Sequence, residues 1–391
     1  MDLDARIRRR QRRNGDRRLV RNYESLSPVA HVEEPTGRGP TFERLLDHLD
    51  PVFDGNLPPN AYVHGPAGSG KSAVVTALFA HLRRLPTETR SVIQTSTRAT
   101  SPPSPAFAYL DLRTTTSEFA FYRGVLGALT EESVPEHGIS TDEVRRRLHA
   151  RLGGSRTGVV IAVDHVDTAE GVDPGELRDR FAGLPSNVSW LAVGREDPEP
   201  AELAAYTATS VRVGRYPRQT LVDVVMARAS TGLAPQALGH DLARRVADWA
   251  DGDAHDALAA LFAAADRAER DGRTRLADRD VAAAIDEVPR PSVSLGRVLA
   301  LPPNEQLVLR ELVDLDASER TSVTETTDAI SASPAVDLSA GTVKRYLYEM
   351  AETGVVERVR SEGETGRGRP PSRIEFRFPP TVFRRLYDLG R

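Results

Sequence analysis

The sequence predicts a parallel α/β sheet domain, then a small all-helical domain, then a three-helix module closed by a hairpin. Three observations carry that prediction. Strand-like and helix-like segments alternate through the first half of the chain, alanine-rich helical spacing replaces them from about Leu221, and the last hundred residues read helix, helix, helix, strand, strand.

In chain order, residues 1–22 form a basic tail, expected to be flexible, with nine arginines against three aspartates in the first 21 positions. Such a run reads either as a polyanion contact or as a solvated tail. "TFERLLDHLDPVFDG" has helical apolar spacing and stops at Pro51 and Gly55. "NAYVHG" reads as a strand, followed by a glycine-rich turn and the helix "SAVVTALFAHLRRL"; Pro86 to Pro105 reads as a surface excursion. "AFAYLDLR", "GVVIAVDHVD" and "VSWLAVGRE" read as further strands, with "EFAFYRGVLGAL" and "TDEVRRRLHARL" as helices between them. Strand and helix alternating at this spacing imply a mainly parallel sheet covered on both faces. This base is assigned residues 23–218.

The helical domain, residues 219–290, follows from "LVDVVMARAS", "QALGHDLARRVADWA", "AHDALAALFAAADRAERDG" and "ADRDVAAAIDEV", and "PRPSVS" ends it because its prolines break helix. Residues 291–391 contain the helices "PNEQLVLRELVDL", "SVTETTDAISA" and "SAGTVKRYLYEMAETG", then "VVERVR" and "SRIEFRF" around the basic, glycine-rich "SEGETGRGRPP". Three helices and a hairpin with a basic tip describe a winged helix.

With 391 residues the chain can bury more than one core, and with no cysteine it excludes disulfides, thiolate metal sites and a cysteine nucleophile. No apolar run reaches membrane-spanning length and the N-terminus is arginine-rich rather than an apolar signal, so a cytoplasmic protein without membrane contact is expected. Lysine occurs only at Lys71 and Lys344, which makes those two positions informative.

"GPAGSGKS", comprising Gly65, Pro66, Ala67, Gly68, Ser69, Gly70, Lys71 and Ser72, matches the phosphate-binding pattern G-x-x-x-x-G-K-[ST] in full. The glycines let backbone N–H groups turn around phosphate oxygens, Lys71 reaches the outer phosphates, and Ser72 supplies a hydroxyl to Mg²⁺. Asp164, closing the apolar run "VVIAVD", is the expected second magnesium ligand. The next position holds His165 where a water-activating glutamate commonly stands, and Asp167 lies two residues on along an extended chain; both are catalytic candidates.

Loop, acid, helical lid and winged helix in this order resemble the archaeal origin-recognition initiators, AAA+ proteins related to the eukaryotic origin recognition complex and its loading partner. The resemblance rests on "LPPNAYVHGPAGSGKSAVV", Gly37–Arg38, "AYLDLRTTTSEFAFYRGVLGAL", "DHVD", "GDAHDALAALFAAADRAER" and "LPPNEQLVLREL". It implies an α/β AAA+ P-loop base with an α-helical lid and a C-terminal winged helix. It further implies ATP or ADP with Mg²⁺, duplex DNA bound partly by the base, and a replicative helicase or other initiator subunits as partners. The departures fall on hydrolysis: D-E-x-D is D-H-V-D here, Gly194 or Arg195 stands where a sensor asparagine belongs, and His255 stands where a lid arginine would reach the γ-phosphate. ATP binding with slow or absent hydrolysis is therefore expected.

In the winged helix, Ser339 can cap the third helix and project Thr342, Lys344 and Arg345 from its first turns, while the tip offers Arg367, Arg369 and Arg373 for duplex DNA. The alternative to an initiator is a regulatory paralogue, a transcription or plasmid-maintenance protein with a vestigial nucleotide switch.

Overall fold

The computed structural model describes residues 18–92, 105–130, 133–153, 158–166, 172–360 and 372–390. The chain divides into two compact units, residues 31–216 and residues 1–30 with 217–391.

The first unit is built on a five-stranded parallel sheet in the order β2-β3-β4-β1-β5: β1 (Ala61–His64), β2 (Ala106–Asp111), β3 (Val159–Asp164), β4 (Val188–Val193) and β5 (Thr209–Arg212). Every residue of β3 is buried, as a central strand covered on both faces requires. Alternation divides it: Val160 and Ala162 join the core formed with Leu45, Val74, Leu78 and Phe79, whereas Val159, Ile161 and Val163 join Phe121, Val125, Val144 and Leu148. Each large apolar side chain so buried contributes roughly 1.5–3 kcal/mol relative to exposure. The strand β5 was not anticipated; it lies at the sheet edge, and its burial alternates weakly around Val211.

In the second unit, the lid comprises helices Arg218–Gly232, His240–Ala250, Ala254–Arg270 and Asp278–Glu287. The expectation of a free N-terminal tail through residue 22, with the base starting at Tyr23, needs correction. Leu19 and Val20 are buried, their N–H groups donate to Glu269 Oε2 at 2.8 and 3.0 Å, and Val20 bridges Leu233 in antiparallel fashion. The short helix Tyr23–Leu26 then packs on the lid, crossing at Gly232, where a Cβ would lie 2.5 Å from the Leu26 side chain. Arg228, buried beneath, donates to the carbonyls of Ser27 and Ala30. A strap of residues 18–30 thus belongs with the lid, and the apolar positions Leu19, Val20 and Leu26 among its charges explain why.

The winged helix has helices at Pro303–Asp314, Val323–Ala332 and Ala340–Glu352 and the antiparallel hairpin β6 (Val356–Arg360) and β7 (Ser372–Phe376). A further helix, Pro380–Leu389, was not anticipated; it opens with Pro at its first turn and buries Val382, Phe383 and Tyr387. It joins the lid through Glu287, whose carboxylate accepts the Thr381 N–H at 2.8 Å, and through Arg385, stacked 4.4 Å over the Tyr23 ring and 3.6 Å from Asp266. Among the described residues no helix is long and apolar enough to cross a membrane.

Candidate nucleotide site and nucleic-acid interface

The phosphate loop leaves β1 at Gly65 and enters the helix Lys71–Val92. Its shape depends on missing side chains. At Gly65 a Cβ would sit 2.1 Å from the Val213 carbonyl oxygen, and at Gly70, with φ +79°, it would sit 2.5 Å from the Tyr216 hydroxyl. Lys71 is buried and its ammonium donates to the Gly65 and Pro66 carbonyls at 2.7 and 2.9 Å, inside the hollow of the loop. Ser69 Oγ is fully buried without a hydrogen-bond partner. Arg38 is 6 % exposed, its guanidinium stacks 3.6 Å over the Tyr216 ring, and its Nε and Nη2 are buried with no acceptor. Buried donors without acceptors are costly, and three of them beside a glycine-built cradle fit an anionic, acceptor-rich nucleotide. Ser72 and Asp164 are the residues that would hold its magnesium.

Asp164 is 2 % exposed, and its two oxygens are already oriented: Oδ2 accepts from Tyr109 Oη at 2.7 Å and Oδ1 from the His165 backbone N–H at 2.8 Å. Burial and the adjacent carboxylate push the Tyr109 phenol far up, so it stays a donor. Parallel register sets Asp111 of β2 beside Asp164 of β3. Burial alone would raise the Asp111 carboxyl, yet hydrogen bonds from His165 and Arg113, with the Arg113 charge, hold it below the usual carboxylate range. Arg113 grips it through Nε at 3.0 and 3.1 Å and Nη2 at 2.5 Å. Into this pair His165 brings Nδ1, 3.3 Å from Asp111 Oδ1 and 3.4 Å from Asp164 Oδ1.

The chain is not extended beyond Asp164 as the sequence suggested. β3 ends there and His165 adopts φ +67°, a left-handed conformation that costs a non-glycine residue on the order of 1–3 kcal/mol. Asp167, the other catalytic candidate, lies outside the described residues. Arg195 sits exposed just past the end of β4. His255 is engaged within its own unit, where Nε2 accepts the Leu295 N–H at 3.0 Å and Nδ1 lies 3.5 Å from Asp256. Asp253, His255 and Asp256 converge, but Asp253 caps the helix by accepting the Asp256 N–H and the histidine acceptor serves Leu295, so this trio is spent on structure.

In the winged helix Ser339 does cap the third helix, accepting the Thr342 N–H at 3.2 Å, and the Thr342 hydroxyl turns back to Ser339 Oγ at 2.9 Å. Lys344 Nζ lies 6.0 Å from the Tyr348 ring centre, and Arg345 is exposed with an ion pair to Glu349 at 2.9 Å. Arg373 pairs with Glu375 at 2.6 Å. Arg367 and Arg369 lie outside the described residues. Sequence reasoning missed Tyr348 and Arg358, whose guanidinium sits 4.5 Å over that ring and joins the wing strand to the third helix. It also missed Tyr109, Asp111, Arg113 and Tyr216. Their common signal, polar residues at strand ends, becomes meaningful only once strand order is known.

A family model for the AAA ATPase domain matches residues 34–190. The chain is 26 % identical over 316 residues to ORC1-type DNA replication protein 1 of Sulfurisphaera tokodaii, covering 76 % of this chain and 73 % of that one. It is 28 % identical over 371 residues to ORC1-type DNA replication protein 9 of Halobacterium salinarum, covering 92 % and 96 %. Among solved structures, the Aeropyrum pernix ORC1 protein in complex with DNA aligns with a TM-score of 0.61 at 22 % identity, covering 95 % of this chain and 97 % of that one. Cdc6p from Pyrobaculum aerophilum aligns with a TM-score of 0.53 at 19 % identity, covering 95 % and 99 %.

Proposed function

We propose that this chain is an AAA+ protein of the archaeal origin-recognition type, and that it binds ATP with Mg²⁺ and binds duplex DNA in replication initiation, with hydrolysis slow or absent. The observation that carries the nucleotide reading is the cradle of Lys71, the orphaned Ser69 hydroxyl and the unpaired Arg38 donors, complete where the hydrolytic positions are replaced. ADP is held by the same groups. Ser72 and Asp164 are the magnesium ligands in this reading, and Tyr109 holds the Asp164 carboxylate in its plane.

The DNA reading is supported by the DNA complex of the Aeropyrum pernix protein, by Lys344 and Arg345 in the first half of the third helix, and by Arg358, Arg360 and Arg373 on the wing strands. Lys344, Arg345, Arg358 and Arg373 are the described contributors, joined by Arg367 and Arg369 of the tip. Because Arg345 and Arg373 are already paired with glutamates, their phosphate contacts require exchange of partners, and the tip arginines dominate affinity. A replicative helicase or other initiator subunits are the partners this role implies.

The test is binding of labelled ATP and of duplex DNA by the full chain across a salt titration. Replacing Arg367 and Arg369 together lowers DNA affinity and reduces the slope of log K against log salt by about 2, at roughly 0.9 per phosphate contact. An unchanged slope moves the DNA contact elsewhere, and absence of ATP binding removes the nucleotide reading.

A further inference from the structure

The winged helix holds its cations in two ways. On the hairpin, Arg373 pairs with Glu375 at 2.6 Å and Arg377 with Glu357 at 2.8 Å, and on the third helix Arg345 pairs with Glu349, so each of these charges meets a carboxylate. Lys344 and Arg358 have no carboxylate partner among the described residues. Both lie against the ring of Tyr348 instead, the ammonium 6.0 Å and the guanidinium 4.5 Å from its centre. We infer that Tyr348 is a positioning residue for DNA binding, whose ring holds Lys344 and Arg358 on one contact surface without neutralising them. The inference deepens the DNA reading above and rests on it.

Three features of the chain bring the ring and the two cations together. Lys344 and Tyr348 stand four apart on the helix Ala340–Glu352 and so share a face. The hairpin register pairs Val356 with Phe376 and Arg358 with Ile374; Val356 and Ile374 are buried, so Arg358 stands on the hairpin face turned toward the helices. The junction of helix and strand is short and fixed. Gly354 takes φ +74° and the Val355 N–H donates to the Met350 carbonyl at 2.9 Å, which sets where β6 leaves the helix, and the contact of Arg358 with Tyr348 supplies a second fixed point. A carboxylate and a ring differ in what they leave for a ligand. A glutamate must be displaced before its arginine meets a phosphate, whereas the negative face of a ring orders a cation and leaves its charge, and the N–H donors at the guanidinium edge, for the phosphate. Long basic side chains lose rotamer freedom on binding, and a cation ordered beforehand loses less. Tyr348 itself brings no charge to the surface.

The experiment measures binding of the full chain to a mixed-sequence DNA duplex across a salt titration, with melting temperature and side-chain NMR of Arg358, for Tyr348→Leu, Tyr348→Phe, Arg358→Gln and the double variant Tyr348→Leu/Arg358→Gln. In the wild type without DNA, the Arg358 side-chain protons, assigned by their loss in Arg358→Gln, are shifted by the ring current of Tyr348, and Tyr348→Leu abolishes that shift. Tyr348→Leu weakens DNA binding by about two- to thirtyfold. Although it removes no charge, it also lowers the slope of log K against log salt by about 1–2, at roughly 0.9 per phosphate contact. Tyr348→Phe keeps the ring and with it the wild-type affinity and slope. Arg358→Gln lowers the slope by about 0.9, and the double variant falls no further than Tyr348→Leu alone. A packing role would instead lower the melting temperature of Tyr348→Leu and leave the slope as it is. An unchanged slope in Tyr348→Leu overturns the inference, as does a Tyr348→Phe variant that binds as weakly as Tyr348→Leu. A wild type that binds no duplex overturns the DNA reading and this inference together. Should Tyr348→Leu fail to fold, Tyr348→Gln, a good helix former suited to a half-buried position, takes its place with the same outcomes.

Discussion

The phosphate loop and the tips of β2 and β3 make opposite use of the chain. The loop draws Gly65 to Ser72 from one contiguous segment, and everything it needs is local: glycines at close approaches, a lysine, and the start of a helix. The strand tips draw Tyr109, Asp111, Arg113, Asp164 and His165 from two segments that meet only through parallel register. The loop is intact and the strand-tip chemistry is rewritten. In the proposed reading, grip on a nucleotide and turnover of it rest on different residues, which can be removed one set at a time.

The largest expected effect breaks the loop. Lys71→Ala removes the buried ammonium and should weaken ATP binding by roughly a hundredfold or more, about 3 kcal/mol at 1.4 kcal/mol per tenfold, in a filter or fluorescence binding assay. Undiminished binding would erase the distinction between the two regions. Arg38→Ala comes next. Its loss of charge-assisted hydrogen bonds, about 1.5–3 kcal/mol, should weaken ATP by about ten- to a hundredfold, and an unchanged Kd would confine the binding region to the loop itself. His255→Ala sharpens the comparison from outside it. Leaving the Leu295 N–H without its acceptor should cost about 1–3 kcal/mol of stability in thermal unfolding, with ATP affinity unaltered; a loss of affinity instead would return His255 to the lid-sensor role. The smallest effect is His165→Glu. A third carboxylate crowded against Asp111 and Asp164 is repelled by both, so single-turnover hydrolysis should gain less than about tenfold. A larger gain would mean that one residue had silenced the strand tips.

The same contrast decides what could be read before the fold was known. The loop, Asp164, the parallel sheet, the helical lid and the hairpin were legible because each is a local pattern of spacing or composition. The edge strand Thr209–Arg212 was not, since half of it faces solvent and its apolar signal reduces to Val211. The helix Pro380–Leu389 was hidden behind the strand pattern that precedes it. The strap was misjudged because the arginines of residues 1–21 outweighed Leu19, Val20 and Leu26, whose meaning depends on partners more than 200 positions away. His165 was recognised as an oddity, but Asp111, 3.3 Å from its ring, belongs to a neighbouring strand, and register is invisible to spacing.

That strap also separates the order in which the chain is made from the order in which it is built. Leu19 and Val20 need Leu233 and Glu269 before their N–H groups and side chains have anywhere to go. On the ribosome, residues 31–216 emerge in full while Leu233 is still enclosed in the tunnel and Glu269 is still unmade, and domains generally fold as units during synthesis. The nucleotide-binding unit therefore matures with its leading segment idle, and the first described residues to leave the exit tunnel are among the last to find their places.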